Sequence, residues 1–182
     1  MFPDQPFVHQ TLFRAISVSL GLIPDSGEAA ARILRAYQGP LPAQSARETN
    51  LCFYDLSPDV SSPMFTEHAV LRGIHGIYRF MPYLLSLVFY GPFAETDALL
   101  LRENLFIDGA GCPRSILRQA QVFPVPTVRP PSVLYEETDS LYRKRADLVI
   151  PLRILDNSDE PASGALPANP IRVPPEIIPH VR

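Results

Sequence analysis

The side chains most able to do chemistry lie in one crowded stretch of charge toward the C-terminal end of the sequence. Three cations follow one another there: Arg143, Lys144 and Arg145. Three carboxylates come just before them: Glu136, Glu137 and Asp139. Adjacent cations can bind nucleic-acid phosphates, but a binding stripe needs basic residues that recur along one face, and the carboxylates cancel this field. The stretch is instead typical of the charged shoulder of a strand or of an interface between copies.

Acid–base and metal chemistry find little support in the remaining pattern. The carboxylates lie in a turn-rich segment with no histidine nearby, which indicates a solvated face. The four histidines lack the spacing of metal ligands: His9, His68, His75 and His180. His68 and His75 are an odd number of residues apart on a predicted strand, so they point to opposite faces. Because no G-x-S-x-G elbow or phosphate-binding loop occurs either, we predict no catalytic residue, no metal and no cofactor.

Composition limits the class of protein. The chain has 182 residues, a formal net charge of −3 and 21 prolines, which fits one domain with extended loops and disfavours a general nucleic-acid binder. Cys52 and Cys112 are not in a C-x-x-C pair, so we expect reduced thiols, buried for structural reasons. The N-terminus lacks a signal-peptide pattern, and the apolar run from Met81 to Phe93 is too short to cross a membrane. We therefore expect a soluble protein that is not secreted.

Apolar periodicity predicts the elements that position the charged stretch. The predicted helices are 7–23, one from about Phe93, and 113–121; the predicted strands are 30–39, 49–57, 66–80 and 83–90. The strand 83–90 is apolar on both faces, so we expect it to be covered on both sides. In the last strand Leu148, Ile150, Leu152 and Ile154 point one way, and Asp147, Val149, Pro151 and Arg153 point the other. The same alternation puts Arg143 and Arg145 on one face with Asp147, and Pro151 indicates an edge or a bulge. This order predicts an α+β fold with a mixed sheet flanked by helices.

The chain divides into a domain of residues 1–157 and an extended Pro-rich C-terminal arm of residues 158–182. The arm has many prolines and no apolar periodicity, so it has too little hydrophobic pattern to fold alone. Four of its apolar residues could anchor the arm on a partner: Ile171, Val173, Ile177 and Ile178. We hypothesise that the arm lies across a neighbouring subunit and orders on binding.

The order of segments carries a resemblance to a known family. After an N-terminal helix come RILRAYQGPLP, TNLCFYDLS, a strand pair ending in YLLSLVFYG, the helix AETDALLLRENLF and finally VPTVRPPSVLYEETDSLYRKRADLVIPLRIL. This succession, over roughly Phe7 to Asn157, resembles the neck or tail terminator (tail completion) proteins of tailed bacteriophages and prophages.

The resemblance implies a structural virion protein rather than an enzyme, built on a tail-terminator-like fold. Copies of the chain would form a hexameric ring at the head-proximal end of the tail in the virion. During assembly the chain would be in the host cytoplasm. The ring would end polymerisation of the tail tube protein and bind a neck, head-completion or portal-side protein. DNA would pass through the lumen without sequence-specific binding, and the negative net charge suits such a lumen. No membrane is involved.

This implied assembly gives the charged stretch a role. We hypothesise that Arg143, Lys144, Arg145, Glu136 and Glu137 lie at the subunit interface and that the cations pair with carboxylates across the subunit boundary. Two other classes stay open. One is another head-tail connector or baseplate adaptor protein, which differs in whether it contacts the tube or the portal side. The other is a ligand-binding or enzymatic α+β domain, which turnover or a defined pocket would favour.

Overall fold

The computed structural model describes residues 5–36, 49–71, 74–138 and 141–155. The C-terminal arm of residues 158–182 lies outside the described residues, together with the hypothesised anchors Ile171, Val173, Ile177 and Ile178. No helix of the described ranges is both long enough and apolar enough to cross a membrane.

The described residues form seven strands of one sheet. These are β1 (Ile33–Arg35), β2 (Leu51–Pro58), β3 (Phe65–Leu71), β4 (Ile74–Tyr90), β5 (Val122–Pro124), β6 (Ser132–Thr138) and β7 (Leu141–Leu155). The order is β1-β2-β4-β7-β5, with β3 paired to β4 and β6 paired to β7. Only β1 and β2 run parallel among these pairs, so the sheet is mixed. With the helices below, this confirms the α+β prediction.

Two long strands, β4 and β7, form the centre of the sheet and pair antiparallel along residues 80–90 and 145–155. Each has an interrupted partner on its other side: β2 and β3 along β4, and β5 and β6 along β7. Residues 74–79 pair with β3 alone and residues 141–144 with β6 alone. Because β4 and β7 are antiparallel, the two hairpins extend beyond the central sheet at opposite ends.

Each long strand carries a proline at the gap in its partner. The carbonyl of Pro82 accepts a hydrogen bond from Asp59 N–H at 3.0 Å, and that of Pro151 accepts one from Val125 N–H at 2.9 Å. The N–H and C=O of a strand residue point to the same side, so the donor that proline lacks faces the interrupted partner. The predicted break between strands 66–80 and 83–90 was therefore wrong, because β4 runs through Pro82. The predicted strand 66–80 was also wrong, because β3 ends at Leu71 and β4 begins at Ile74, so His68 and His75 lie on two paired strands and not on one. Pro151 lies in the interior of the sheet, opposite the gap between β5 and β6, and not at an edge or bulge as predicted.

Four helices are described: α1 (Gln5–Ser19), α2 (Gly27–Arg32), α3 (Ala94–Asn104) and α4 (Pro113–Gln119). The first ends earlier than the predicted Ile23, and Gly21 follows it with a positive φ of 72°. The predicted strand 30–39 was wrong for residues 30–32, which belong to α2. There Ser26 caps the helix, its hydroxyl accepting from Ala29 N–H at 3.1 Å.

The hydrophobic core lies between α1, α3 and α4 and one face of the sheet, which we name the helix-covered face. Its strand residues alternate as expected for period two. They include Tyr83, Leu85, Leu87 and Phe89 of β4 and Ala146, Leu148, Ile150, Leu152 and Ile154 of β7. The prediction for β7 is confirmed. The prediction that β4 is covered on both sides was wrong, because Leu84, Ser86, Val88 and Tyr90 are only half-buried. Their side is the outer face.

A tight corner at Gly91 returns the chain from β4 to α3 above the helix-covered face. Gly91 has φ of 116°, and a Cβ there would lie 2.5 Å from Asn50 Oδ1 and 2.9 Å from the carbonyl oxygen of Thr49. Asn50 Oδ1 accepts a hydrogen bond from Phe93 N–H at 3.1 Å, one residue before α3 begins. The corner needs glycine both for its φ and for this close approach.

Candidate interaction surface

Strand register brings three of the five predicted interface residues, Arg143, Arg145 and Glu136, together on the outer face, and places Lys144 and Glu137 on the opposite side of their strands. Arg143 is opposite Glu136, and Arg145 is opposite Leu134 on one side and Tyr90 on the other. Alternation then places Arg143, Arg145 and Asp147 on the same side of β7, as the sequence predicted. We name Tyr90, Glu136, Arg143, Arg145 and Asp147 the outer-face cluster.

Arg145 is the centre of this cluster. Its Nε and Nη2 donate to the two carboxylate oxygens of Asp147 at 2.6 and 2.9 Å, and its Nη1 donates to Glu136. Hydrogen bonds to Asp147 and then to Glu136 raise the pKa of Arg145 above its ordinary value. The fork of a guanidinium fits a carboxylate in two places, so the geometry fixes the side chain as well as its charge.

Tyr90 supplies an aromatic platform for both arginines. The guanidinium carbon of Arg143 lies 4.0 Å from the centre of the Tyr90 ring, and that of Arg145 lies 5.8 Å away. Burial raises the pKa of the Tyr90 hydroxyl, and a hydrogen bond with Glu136 acts in the same direction. Burial also lowers the pKa of Arg143. The cluster therefore combines cation–π contacts with ion pairs on a partly shielded surface.

Lys144 lies on the helix-covered side of the same strand and serves a different contact. Its Nζ donates to Glu95 in the first turn of α3 at 2.7 Å. This hydrogen bond raises the pKa of Lys144. The three adjacent cations thus divide between two faces, and one of them joins β7 to a helix.

The structure shows ion pairs within one chain where the sequence suggested ion pairs across a subunit boundary. Lys144 and Arg145 pair with carboxylates of their own chain, and Glu137 is exposed. Asp139 lies outside the described residues. That these residues also meet another copy stays a prediction. Two guanidiniums and two carboxylates balance in the outer-face cluster, so it offers no net positive field for phosphate.

Exposed apolar side chains border the cluster, and sequence reasoning did not single them out. Leu134 and Val149 are each 47% exposed on the outer face, and Tyr135, which is 67% exposed, lies on the opposite side of β6. The prediction that the segment of Glu136 and Glu137 is turn-rich was wrong, because it forms β6. The three successive apolar residues Val133, Leu134 and Tyr135 were the signal for this strand. Val149 was visible as the apolar member of the outward-pointing set of β7. Tyr90 was hidden in a strand that looked apolar on both faces.

The other candidate chemical groups serve the fold. Cys52 is buried, and burial raises the pKa of its thiol well above the ordinary value, so it is a poor nucleophile. The second cysteine, Cys112, is half-buried, which is less than predicted. His9 is buried beside Tyr54, with ring centres 6.0 Å apart, and burial and then Arg35 lower its pKa.

The described residues hold no group of three or more His, Cys, Asp or Glu side chains that could bind a metal ion. The side chains of His68 and His75, and the whole of His180, lie outside the part that the structure describes.

Comparison with known proteins gives no assignment. No family model matches the chain. A search of curated proteins finds no match either. The likeness to tail terminator proteins therefore rests on the order of segments alone.

Proposed function

We propose that this protein is a structural component of a phage virion, forming a ring at the head-proximal end of the tail. The ring ends polymerisation of the tail tube protein and joins the tail to a neck, head-completion or portal-side protein. A likeness in segment order supports the terminator role, and the outer face supports self-assembly.

The outer face is the observation that carries the proposal. It leaves Leu134 and Val149 about half exposed, beside a cluster rich in arginine and tyrosine, residue types that are common in the centres of protein interfaces. Covering a charge is unfavourable unless it is paired and hydrogen-bonded. The Arg145 ion pairs already exist in the single chain, so a neighbouring copy can cover them without leaving an unpaired charge.

The remaining parts of the proposal concern the partners. Each copy contacts its neighbours in a hexamer, and DNA passes through the lumen without sequence-specific binding. The arm of residues 158–182 lies across a neighbouring subunit, with Ile171, Val173, Ile177 and Ile178 as anchors. Removing the arm should weaken assembly; a deleted chain that still assembles normally would refute this part.

The first experiment is light scattering of the full chain, followed by negative-stain images of the chain alone and mixed with tail tubes. A ring with a central hole, bound at one end of the tube, supports the terminator role. A ring that binds only portal-side protein would identify a connector instead. A chain that forms no ring in either mixture would overturn the proposal.

Interface variants should avoid Arg143 and Arg145, because Arg143 contacts the Tyr90 ring and Arg145 forms ion pairs within the chain. Reversing Arg143 and Arg145 to glutamate would disturb contacts inside the chain, so loss of the ring would be ambiguous. Val149→Asp changes an exposed side chain on the outer face and should prevent ring formation while the monomer stays folded. Val60→Asp is the matched control, because Val60 is 97% exposed on the loop after β2. Equal assembly of the two variants would argue against the outer face.

A further inference from the structure

Within the part of the chain that the structure describes, the outer strand β6 has an open backbone edge. Odd-numbered residues of β7 face the β5 and β6 side, since Pro151 accepts from Val125 there and Leu155 N–H donates to Gln121. In the register of the hairpin, the even-numbered residues of β6 oppose these and bond to them. The N–H and C=O groups of Val133, Tyr135 and Glu137 therefore point away from the sheet. No described residue bonds to them.

This edge lacks several of the usual protections against strand pairing, and its charged side chains, Glu136 and Glu137, are adjacent. Edge strands are commonly shortened or blocked by lysine, proline or bulges. β6 runs for seven residues with regular register and contains neither lysine nor proline. Leu134 and Tyr135 present exposed apolar surface on its two sides. At the opposite side of the sheet the outer strands are β1, of three residues, and β3, of seven.

The charge pattern of β6 favours a second copy of β6 as the strand that pairs with this edge, in the antiparallel direction. A second copy of β6 running parallel and in register would place Glu136 and Glu137 beside their own equivalents, which is unfavourable. An antiparallel copy centred on Tyr135 places these carboxylates opposite Leu134 and Val133. All outward N–H and C=O groups of Val133, Tyr135 and Glu137 then find partners.

Electrostatics on the outer face agree with this arrangement. Glu136 of the second copy would stand opposite Leu134, whose neighbour across the hairpin is Arg145. The carboxylate of Glu136 in one copy is thus on the same face as Arg145 of the other copy, one strand away. We propose that two copies of this chain pair through β6, antiparallel and centred on Tyr135, to form one continuous sheet across a two-fold axis.

This inference does not depend on the proposed function. A ring whose two sides differ has no two-fold axis in its plane, so the pair and the ring are alternative assemblies. If the ring also exists, the pair is the form of the free chain, and it uses the β6–β7 hairpin that the ring needs.

The test is sedimentation of the full chain and of two charge variants over the micromolar range. The wild type should reach twice the chain mass of 20.3 kDa. Tyr135→Lys and Tyr135→Glu should each raise the dissociation constant at least about tenfold, because like charges meet at the two-fold axis. An equal mixture of the two should recover the wild-type constant within about threefold, because Lys then faces Glu. Ile23→Lys and Ile23→Glu are matched controls, since Ile23 is exposed away from β6.

The outcomes separate this inference from the ring. A wild type that stays monomeric, or a pair that both Tyr135 variants leave intact, overturns the β6 pair. Failure of the mixture to associate overturns the two-fold register. If the pair forms but no ring forms on tail tubes, only the proposed function is refuted. If a ring forms that substitutions at position 135 do not affect, and no pair is found, only this inference is refuted. Thermal unfolding of each variant shows whether lost association reflects lost folding.

Discussion

The two faces of the central sheet use alternate residues of the same strands for different purposes. On β7, Leu148 and Ile150 are fully buried under helices, while Val149 between them is 47% exposed. On β4, Leu87 and Phe89 are buried, while Val88 and Tyr90 are half-buried. The helix-covered face is apolar and stabilises the single chain. The outer face mixes apolar surface with compensated charge, which suits contact with another protein.

The largest effect should be the difference in unfolding free energy between substitutions at Leu148 and Val149, neighbouring residues on the two faces. Leu148→Ala removes a side chain that is 1% exposed and should lower the free energy of unfolding by about 2–5 kcal/mol, because a cavity remains. Val149→Ala should change it by less than about 1 kcal/mol, since half the side chain is already in water. Denaturant unfolding of both variants measures the difference. Equal losses would mean that the outer face is also a packed core.

The corner that returns the chain to the helix-covered face should be the next most sensitive position. Gly91→Ala should destabilise the fold by about 1–3 kcal/mol, because it combines a positive φ with a close approach to Asn50 and Thr49. Gly27→Ala is the control, since nothing lies within 4 Å of a Cβ there. Melting temperatures of the two variants decide the matter, and a neutral Gly91→Ala would show that the corner can relax.

Ion pairs of the outer face should contribute less than either of these. A double-mutant cycle on Arg145→Ala and Asp147→Ala should give a coupling of about 1 kcal/mol, owing to the forked geometry. The same cycle on Arg14 and Asp25 should give less than about 0.5 kcal/mol, because that pair is 48% and 57% exposed. A coupling at Arg145 no larger than at Arg14 would show that the cluster is not stabilised by its geometry.

The smallest effect should be confined to acid pH and to the helix-covered side. His9 has a lowered pKa, so the unfolded chain takes up this proton first as the pH falls. Its contribution is therefore present above about pH 6.5 and is lost below that value as the pH approaches the folded pKa. Arg35 opposes protonation and Asp55 favours it, with Tyr54 alongside.

His9→Phe should flatten the dependence of unfolding free energy on pH between about 7 and 5. The bond from the Tyr54 hydroxyl to the backbone carbonyl at position 9 does not depend on the side chain. If the unfolding free energy of wild type and variant falls equally between these pH values, other titrating groups cause the loss of stability at acid pH.

Periodicity predicted the parts of the fold that depend on burial of one face. The alternation in β7 and the apolar stripe of α3 were visible because each element buries one side against the core. Two assignments failed for local reasons. Proline normally ends a strand, but Pro82 is tolerated at a gap in the partner strand. The segment before β1 alternates well enough for a strand, yet Ser26 and the run of alanines favour a short helix.

The candidate site was only partly predictable. Alternation put Arg145 and Asp147 on one side of a strand, and the structure shows them bonded. The contact of Lys144 with Glu95 depends on how α3 docks, which no local pattern encodes. The same holds for Arg143 above Tyr90, since the pairing of β4 with β7 joins distant parts of the chain.

That distant pairing has a consequence for the order of folding. The hairpin of β3 and β4 is local in sequence, whereas β4 meets β7 only after α3, α4 and β6 have been synthesised. Contacts between distant segments form slowly because a long loop must close first. Until β7 arrives, the edge of β4 that it will occupy, with Leu85 and Leu87, stays open to other chains. The newly made protein is therefore most prone to aggregate just before its last strand is complete.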